Sequence, residues 1–153
     1  MNTDEMLKLE NQLCFAFYTC SREIMKLYRP LLSELGLTYT QYITLLALWE
    51  RDGITVKELG SMLYLDSGTL TPLLKKLEHM NLVTRTRDKS DERNVIIALT
   101  DEGKALKDKA CTVPMRLFEG THAEVEDVIS MHRHINEFLR KIGGGSVQPE
   151  QSE

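Results

Sequence analysis

Apolar residues recur at positions 6, 9, 13, 17, 24, 27 and 31, close to the period of a helix that buries one face. The spacing predicts one long helix, or two joined near Pro30, since proline kinks an uninterrupted helix but starts a new one readily. Thr38-Tyr39-Thr40-Gln41 then carries the reciprocal capping pattern that opens a helix, here running to about Trp49. Asp52-Gly53 reads as a turn. A second capping pattern, Thr55-Val56-Lys57-Glu58, opens a short helix that ends near Leu63. Asp66 is placed to cap a third, from Ser67 to about Met80, and Pro72 inside it is expected to bend or loosen its first turns.

The period changes after Asn81. Leu82-Val83-Thr84-Arg85-Thr86-Arg87 and Val95-Ile96-Ile97-Ala98-Leu99 have strand composition, and the polar stretch Asp88 to Arg93 between them suits a hairpin tip. On the return strand Val95, Ile97 and Leu99 share one face, while Arg85 and Arg87 are expected to alternate outward. Thr100 caps a further helix, Asp101 to about Thr112, interrupted at Val113-Pro114. A third capping pattern, Thr121-His122-Ala123-Glu124, is expected to open a last helix to about Ile142, with Gly143-Gly144-Gly145 ending it. Residues 143–153 read as a disordered tail. The predicted class is mainly α with a small β-hairpin wing. A winged helix-turn-helix spans 38–99, flanked by helices over 1–37 and 100–142.

Composition narrows the function. The chain of 153 residues fits one domain with a substantial core, and 42% hydrophobic with 27% charged residues is ordinary for a soluble protein. No apolar run approaches the roughly 18 residues of a membrane span. The acidic start Met1-Asn2-Thr3-Asp4-Glu5 lacks the features of a secretory signal, so a cytoplasmic location without membrane contact is expected. Three cysteines, at 14, 20 and 111, have no Cys-x-x-Cys spacing, which argues against a disulfide framework or a zinc ribbon. His132 and His134 are two apart and point to different sides of a helix, so no metal site and no cofactor is expected.

A net charge of −4 is unusual for a protein that meets DNA, but the charge is unevenly placed. From Lys75 to Arg93 there are six basic and four acidic residues, a local +2, which leaves −6 for the rest. The helix that starts at Asp66 presents Ser67, Thr69 and Thr71, small hydroxyl side chains that let a backbone approach a groove and can bond phosphate or base edges. Capping explains Asp66 and Ser67 equally well, but not Thr69 and Thr71. Lys75 and Lys76 follow one turn later, and the hairpin adds Arg85, Arg87 and, at its tip, Arg93 beside Asp91. An arginine there suits a narrow minor groove, and Asp91 is placed to hold its guanidinium in a bidentate pair. The implied partner is double-stranded DNA.

Three stretches resemble the MarR family of bacterial regulators. Leu65 to Glu78 resembles its recognition helix, Asp91-Glu92-Arg93 its wing motif, and Leu99-Thr100-Asp101-Glu102-Gly103 the opening of its next helix. Within the family, Asn11-Gln12-Leu13-Cys14-Phe15 and Leu37-Thr38-Tyr39-Thr40-Gln41-Tyr42 resemble the organic hydroperoxide resistance repressors and related thiol-based regulators. The likeness covers about residues 7 to 110. It implies a homodimer built from the N- and C-terminal helices, a repressor rather than an enzyme, and an oxidant or a small thiol as effector. It also implies that Cys14 is the reactive residue, with Tyr28 and Tyr39 as partners of its sulfur; Tyr18, one helical turn after Cys14, is a third candidate.

Read alone, Cys14 between Leu13 and Phe15 is compatible with a small buried hydrophobe as well as with a reactive thiol. Cys20 lies about 9 Å further along a helix, beyond the reach of a disulfide to Cys14. Cys111 is the candidate resolving thiol, although the resemblance places that residue nearer Leu117 to Glu119; without it, a small cellular thiol would cap the oxidised sulfur. The alternative function is a regulator of the same fold that answers to a phenolic or lipophilic ligand instead of to oxidation.

Overall fold

Thr38 and Thr55 open two helices by the same local chemistry. In the computed structural model, which describes residues 2–143, each hydroxyl accepts from the backbone N–H three residues on, and Gln41 and Glu58 return the bond to the cap N–H. These caps start α3 (Tyr39–Glu50) and α4 (Val56–Leu63). They follow α1 (Thr3–Met6), a 3-10 turn (Leu9–Asn11) and the long α2 (Leu13–Glu34). Then come α5 (Ser67–His79), capped by Asp66 through the Thr69 N–H, α6 (Asp101–Ala110), capped by Thr100, α7 (Val113–Arg116) and α8 (Val125–Lys141).

Two expectations for the helices change, and at Pro30 the alternative of one long helix holds. Met6 and Leu9 do not belong to the long helix, because Lys8 and Gln12 adopt extended backbone and split the N-terminus into separate turns. Pro30 does not divide α2; Leu31 and Leu32 are buried directly after it and Leu27 packs on the same core, which holds the helix through the missing bond. The last helix is capped one turn later than expected. The Thr121 hydroxyl donates to Phe118 O, while Glu124 and Asp127 exchange the reciprocal caps. Pro72 likewise lies within a continuous α5, whose Leu70, Leu73, Leu74 and Leu77 are all buried. Beyond α6, Val113-Pro114 starts the short α7. Of the expected tail, Gly143 is in a left-handed turn with φ 80°, and residues 144–153 lie outside the described residues.

The hairpin strands are β2 (Val83–Arg87) and β3 (Val95–Leu99), and a third strand, β1 (Ile54–Thr55), pairs with β3 in an antiparallel sheet of order β1-β3-β2. Asp52 fastens this edge, its Oδ1 accepting from Gly53 N–H and from Leu99 N–H, both at 2.8 Å. The core lies between α3, α4, α5 and the sheet, around Leu45, Leu48, Leu59, Leu70 and Ile97, each fully buried. Truncating such a leucine costs about 2–5 kcal/mol. Trp49 of α3 donates its indole N–H to Gly103 O of α6 at 2.9 Å, tying the winged domain to the helices that follow.

The end helices are different. Leu13, Phe15 and Phe17 at the start of α2 are exposed, and no residue of α8 is buried. Val128, Met131, Ile135 and Phe138 on α8, with Ile142 at its C-cap, follow at alternating steps of three and four, the spacing of a helix-pairing seam. Within the chain Phe138 of this row stacks on Phe17, 6.2 Å between centroids. Among the described residues no helix is long and apolar enough to cross a membrane.

Candidate nucleic-acid interface and thiol site

With its four leucines turned inward, α5 leaves Ser67, Thr69, Thr71, Lys75 and Lys76 exposed on its outer side. Thr71 Oγ1 donates to Ser67 O at 2.8 Å, so the hydroxyl keeps its lone pairs free to accept. Between α4, α5 and the wing runs a cleft of about 890 Å³, with Ser67 and Thr71 on one side and Arg85 and Arg93 on the other. The register of the sheet places Arg85 opposite Ile97, Arg87 opposite Val95 and Val83 opposite Leu99. Arg85 and Arg87 therefore share the face of the buried Val83; Arg85 is half-buried rather than turned outward, while Arg87 is exposed as expected. Arg85 turns into the cleft and meets Glu78 of α5 at 3.3 Å, bracing the wing against the helix. Arg87 donates to Glu92 O at 2.9 Å across the tip.

At the tip, the Asp91–Arg93 pair forms as expected. The Arg93 Nε and Nη2 each donate to the Asp91 carboxylate at 3.0 Å, and the Arg93 backbone N–H adds a third bond at 3.2 Å. Those bonds hold the Asp91 carboxyl below its usual range and push the Arg93 guanidinium further up. The Arg93 side chain is nonetheless 90% exposed, an ordered cation held out into solvent.

Cys14 is exposed near the start of α2, and Cys20 and Cys111 are exposed as well. Cys111 ends α6 and directs its thiol at Asp108 O, 2.9 Å away. Tyr28 and Tyr39 come together, with ring centroids 5.0 Å apart, and Tyr42 joins them at 6.0 Å from Tyr28. Tyr42 was not among the expected partners, although its place one helical turn after Tyr39 is visible in the sequence. Burial pushes the Tyr28 phenol up to about 12, helped by the two neighbouring phenols, and burial also raises Tyr39 and Tyr42. All three are donors at neutral pH. Within one chain they are not beside Cys14, because Tyr28 follows Cys14 by fourteen residue steps along α2, a span of about 21 Å. Tyr18 lies against Arg22 instead, with the guanidinium 5.4 Å from its ring centroid. Among the described residues there is no group of three or more His, Cys, Asp or Glu side chains that could hold a metal ion.

Residues 26–110 match the profile of the SarA/Rot transcriptional regulators. The organic hydroperoxide resistance transcriptional regulator of Bacillus subtilis is 55% identical over 113 residues, 74% of this chain and 77% of that protein. The transcriptional regulator SarZ of Staphylococcus saprophyticus is 47% identical over 133 residues, 87% of this chain and 91% of its own. Among solved structures, reduced AbfR bound to DNA superposes with a TM-score of 0.78 at 35% identity, over 93% of this chain and 99% of that one.

Proposed function

Because the chain belongs to the MarR-like winged-helix transcriptional regulators, the family of the SarA/Rot and organic hydroperoxide resistance regulators, we propose that it represses transcription as a homodimer and leaves its operator when Cys14 is oxidised. The observation that carries this reading is the placement of an exposed thiol, Cys14, among the exposed apolar side chains Leu13, Phe15 and Phe17. A surface of that kind is completed by a second copy of the chain. The seam along α8 supports the same pairing.

In the dimer, the phenols of Tyr28 and Tyr39 reach the Cys14 sulfur of the partner subunit, since α2 keeps them apart within one chain. Neutral phenols donating to sulfur favour the thiolate, which is the nucleophile. The thiolate attacks one oxygen of an organic hydroperoxide; the O–O bond breaks, an alcohol leaves after taking a proton, and Cys14 becomes a sulfenic acid. A thiol then displaces water from it to give a disulfide, either a small cellular thiol or Cys111 of the partner subunit. Sulfenic acid adds one oxygen and keeps its hydrogen bonds, whereas the disulfide forces the tyrosines aside and turns the winged domains. Half-sites lie about 34 Å apart, so a small rotation prevents both α5 helices from docking together. The chemistry is stoichiometric and regulatory, with no turnover.

The DNA surface comprises Ser67, Thr69, Thr71, Lys75 and Lys76 on α5 in the major groove, with Arg85, Arg87, Asp91 and Arg93 on the wing at the backbone and minor groove. A second reading, a lipophilic effector, is favoured by an apolar pocket of about 290 Å³ lined by Tyr42, Leu46, Trp49 and Cys111. One experiment separates the two. Release of a wild-type-selected duplex is followed after adding cumene hydroperoxide, with and without a small thiol, for wild type, Cys14→Ser and Cys111→Ser, with mass spectrometry of each product. Cys14→Ser should bind DNA normally and stay bound. Release of Cys14→Ser at the wild-type rate would refute thiol sensing and leave the ligand reading, and complete release of Cys111→Ser as sulfenic acid, without added thiol, would refute the second step.

A further inference from the structure

The turn between α4 and α5 stores a conformational cost. Tyr64 ends α4 in the left-handed region, with φ 55° and ψ 36°, and its N–H reaches Gly60 O. The next residue, Leu65, donates to the same carbonyl at 3.0 Å, closing the turn. Glycine is the usual occupant of such a helix end, because any side chain there brings Cβ against the following carbonyl oxygen. Where the neighbouring Gly60 is needed, the reason is visible: a Cβ on it would lie 2.7 Å from Leu65 O. Asn81, the other non-glycine residue with positive φ among the described residues, is of a type that tolerates it. A bulky aromatic can offset the strain by burying its ring. Tyr64 does not, since it is 66% exposed. Strain and an uncovered ring thus coincide at one residue, and that residue stands on the wall of the cleft, with Lys57 and Ser61 of α4 on one side and Ser67 and Thr71 of α5 on the other.

We propose that Tyr64 is a DNA-positioning residue whose hydroxyl donates to a phosphate oxygen at the edge of the groove that α5 enters, with Lys57 supplying charge beside it. The inference rests on reading the cleft as the DNA surface. A turn between two helices borders the backbone strand while the α5 side chains reach deeper, so the phenol meets phosphate before it meets a base edge. A phosphate contact fixes register and carries no sequence preference.

The test compares wild type, Tyr64→Phe, Tyr64→Gly and Lys57→Ala on two duplexes: one enriched by the wild-type protein from a random pool, and a scrambled one of equal composition. Tyr64→Phe keeps ring and backbone, and should bind both duplexes about five- to tenfold more weakly with an unchanged melting temperature. Tyr64→Gly relieves the left-handed strain, so it should melt several degrees higher and yet lose at least as much affinity. Lys57→Ala should flatten the dependence of log affinity on log salt by about one. Tyr64→Phe and Tyr64→Gly binding both duplexes as wild type does would overturn the assignment. A loss confined to the enriched duplex would overturn the phosphate contact in favour of a base contact. Failure of the wild-type chain to enrich any duplex would overturn the DNA reading, and this contact with it.

Discussion

Replacing Arg93 by alanine separates the wing's part in binding from its part in the fold. Both members of the Asp91–Arg93 pair are solvent-accessible, the arginine 90% and the aspartate 36% exposed, so folding gains little from them and the melting temperature should not change. DNA binding should change greatly. An arginine that reaches a groove supplies a factor of about 5 to 150 in affinity, and its charge accounts for about one unit of the salt slope. Asp91 acts in two opposed ways. Its three bonds to Arg93 order a side chain whose freezing otherwise weakens binding by a factor of up to about 30. Its own negative charge repels phosphate within the roughly 8 Å over which salt leaves such forces unscreened. Asp91→Ala should therefore weaken binding less than Arg93→Ala, and in the Arg93→Ala background it should cost nothing or improve binding slightly. Anisotropy titrations of the four proteins at one fixed salt concentration close the cycle. If the double variant loses the product of the two single losses, Asp91 does not act through Arg93. Unchanged affinity of Arg93→Ala would remove the wing tip from the interface.

The phenol cluster, the seam and the wing base give three further expectations. Tyr28, pushed up to about 12, contributes stability that is fully present below pH 10 and is lost as pH rises toward about 12; an alkaline absorbance titration should find the Tyr28 phenol still protonated near pH 11, a contribution lost in Tyr28→Phe. Ile129→Asp puts a charge beside the α8 seam, at a side chain 61% exposed in the single chain, and sedimentation should then find monomers with an unaltered helix content. Gly103→Ala would drive a Cβ into Leu82 O at the base of the wing, where backbone cannot give way easily, and urea unfolding should report a loss of about 1–3 kcal/mol.

Features decided by neighbours in sequence were legible, and those decided across the fold were less so. The caps at Thr38, Thr55, Asp66 and Thr100 need only three or four residues, and each forms where its pattern stands. Thr121 carried the same pattern but lost the role, because Glu124 and Asp127 satisfy each other one turn later and Thr121 bonds Phe118 O instead. The two-residue β1 gives no local signal, since it exists only through pairing with Ile96 and Ile97 and the Asp52 clasp. Register likewise put Arg85 inside the cleft, because which face a strand residue takes depends on the partner strand. The outer side of α5 was readable from its small hydroxyls, and the Asp91–Arg93 pair from its spacing. The roles of Cys14, Tyr28 and Tyr39 came from family resemblance, and Tyr18 from its helical spacing to Cys14. Tyr64 was invisible, because a left-handed helix end is signalled by glycine or asparagine and a tyrosine announces nothing.

Trp49 is the chain's single tryptophan, and its indole N–H is committed to Gly103 O across the joint between α3 and α6. The protein thereby carries an optical gauge at the place where the winged domain meets the helices beyond it. Stretching that bond would admit water to the indole and redden its emission, so the joint can be timed in a stopped-flow cell without any dye. Mixing with hydroperoxide and thiol would then resolve the order of events. Emission that moves before the duplex departs would locate the hinge at this contact, and emission that never moves would make α3 and α6 one rigid block turning about some other axis.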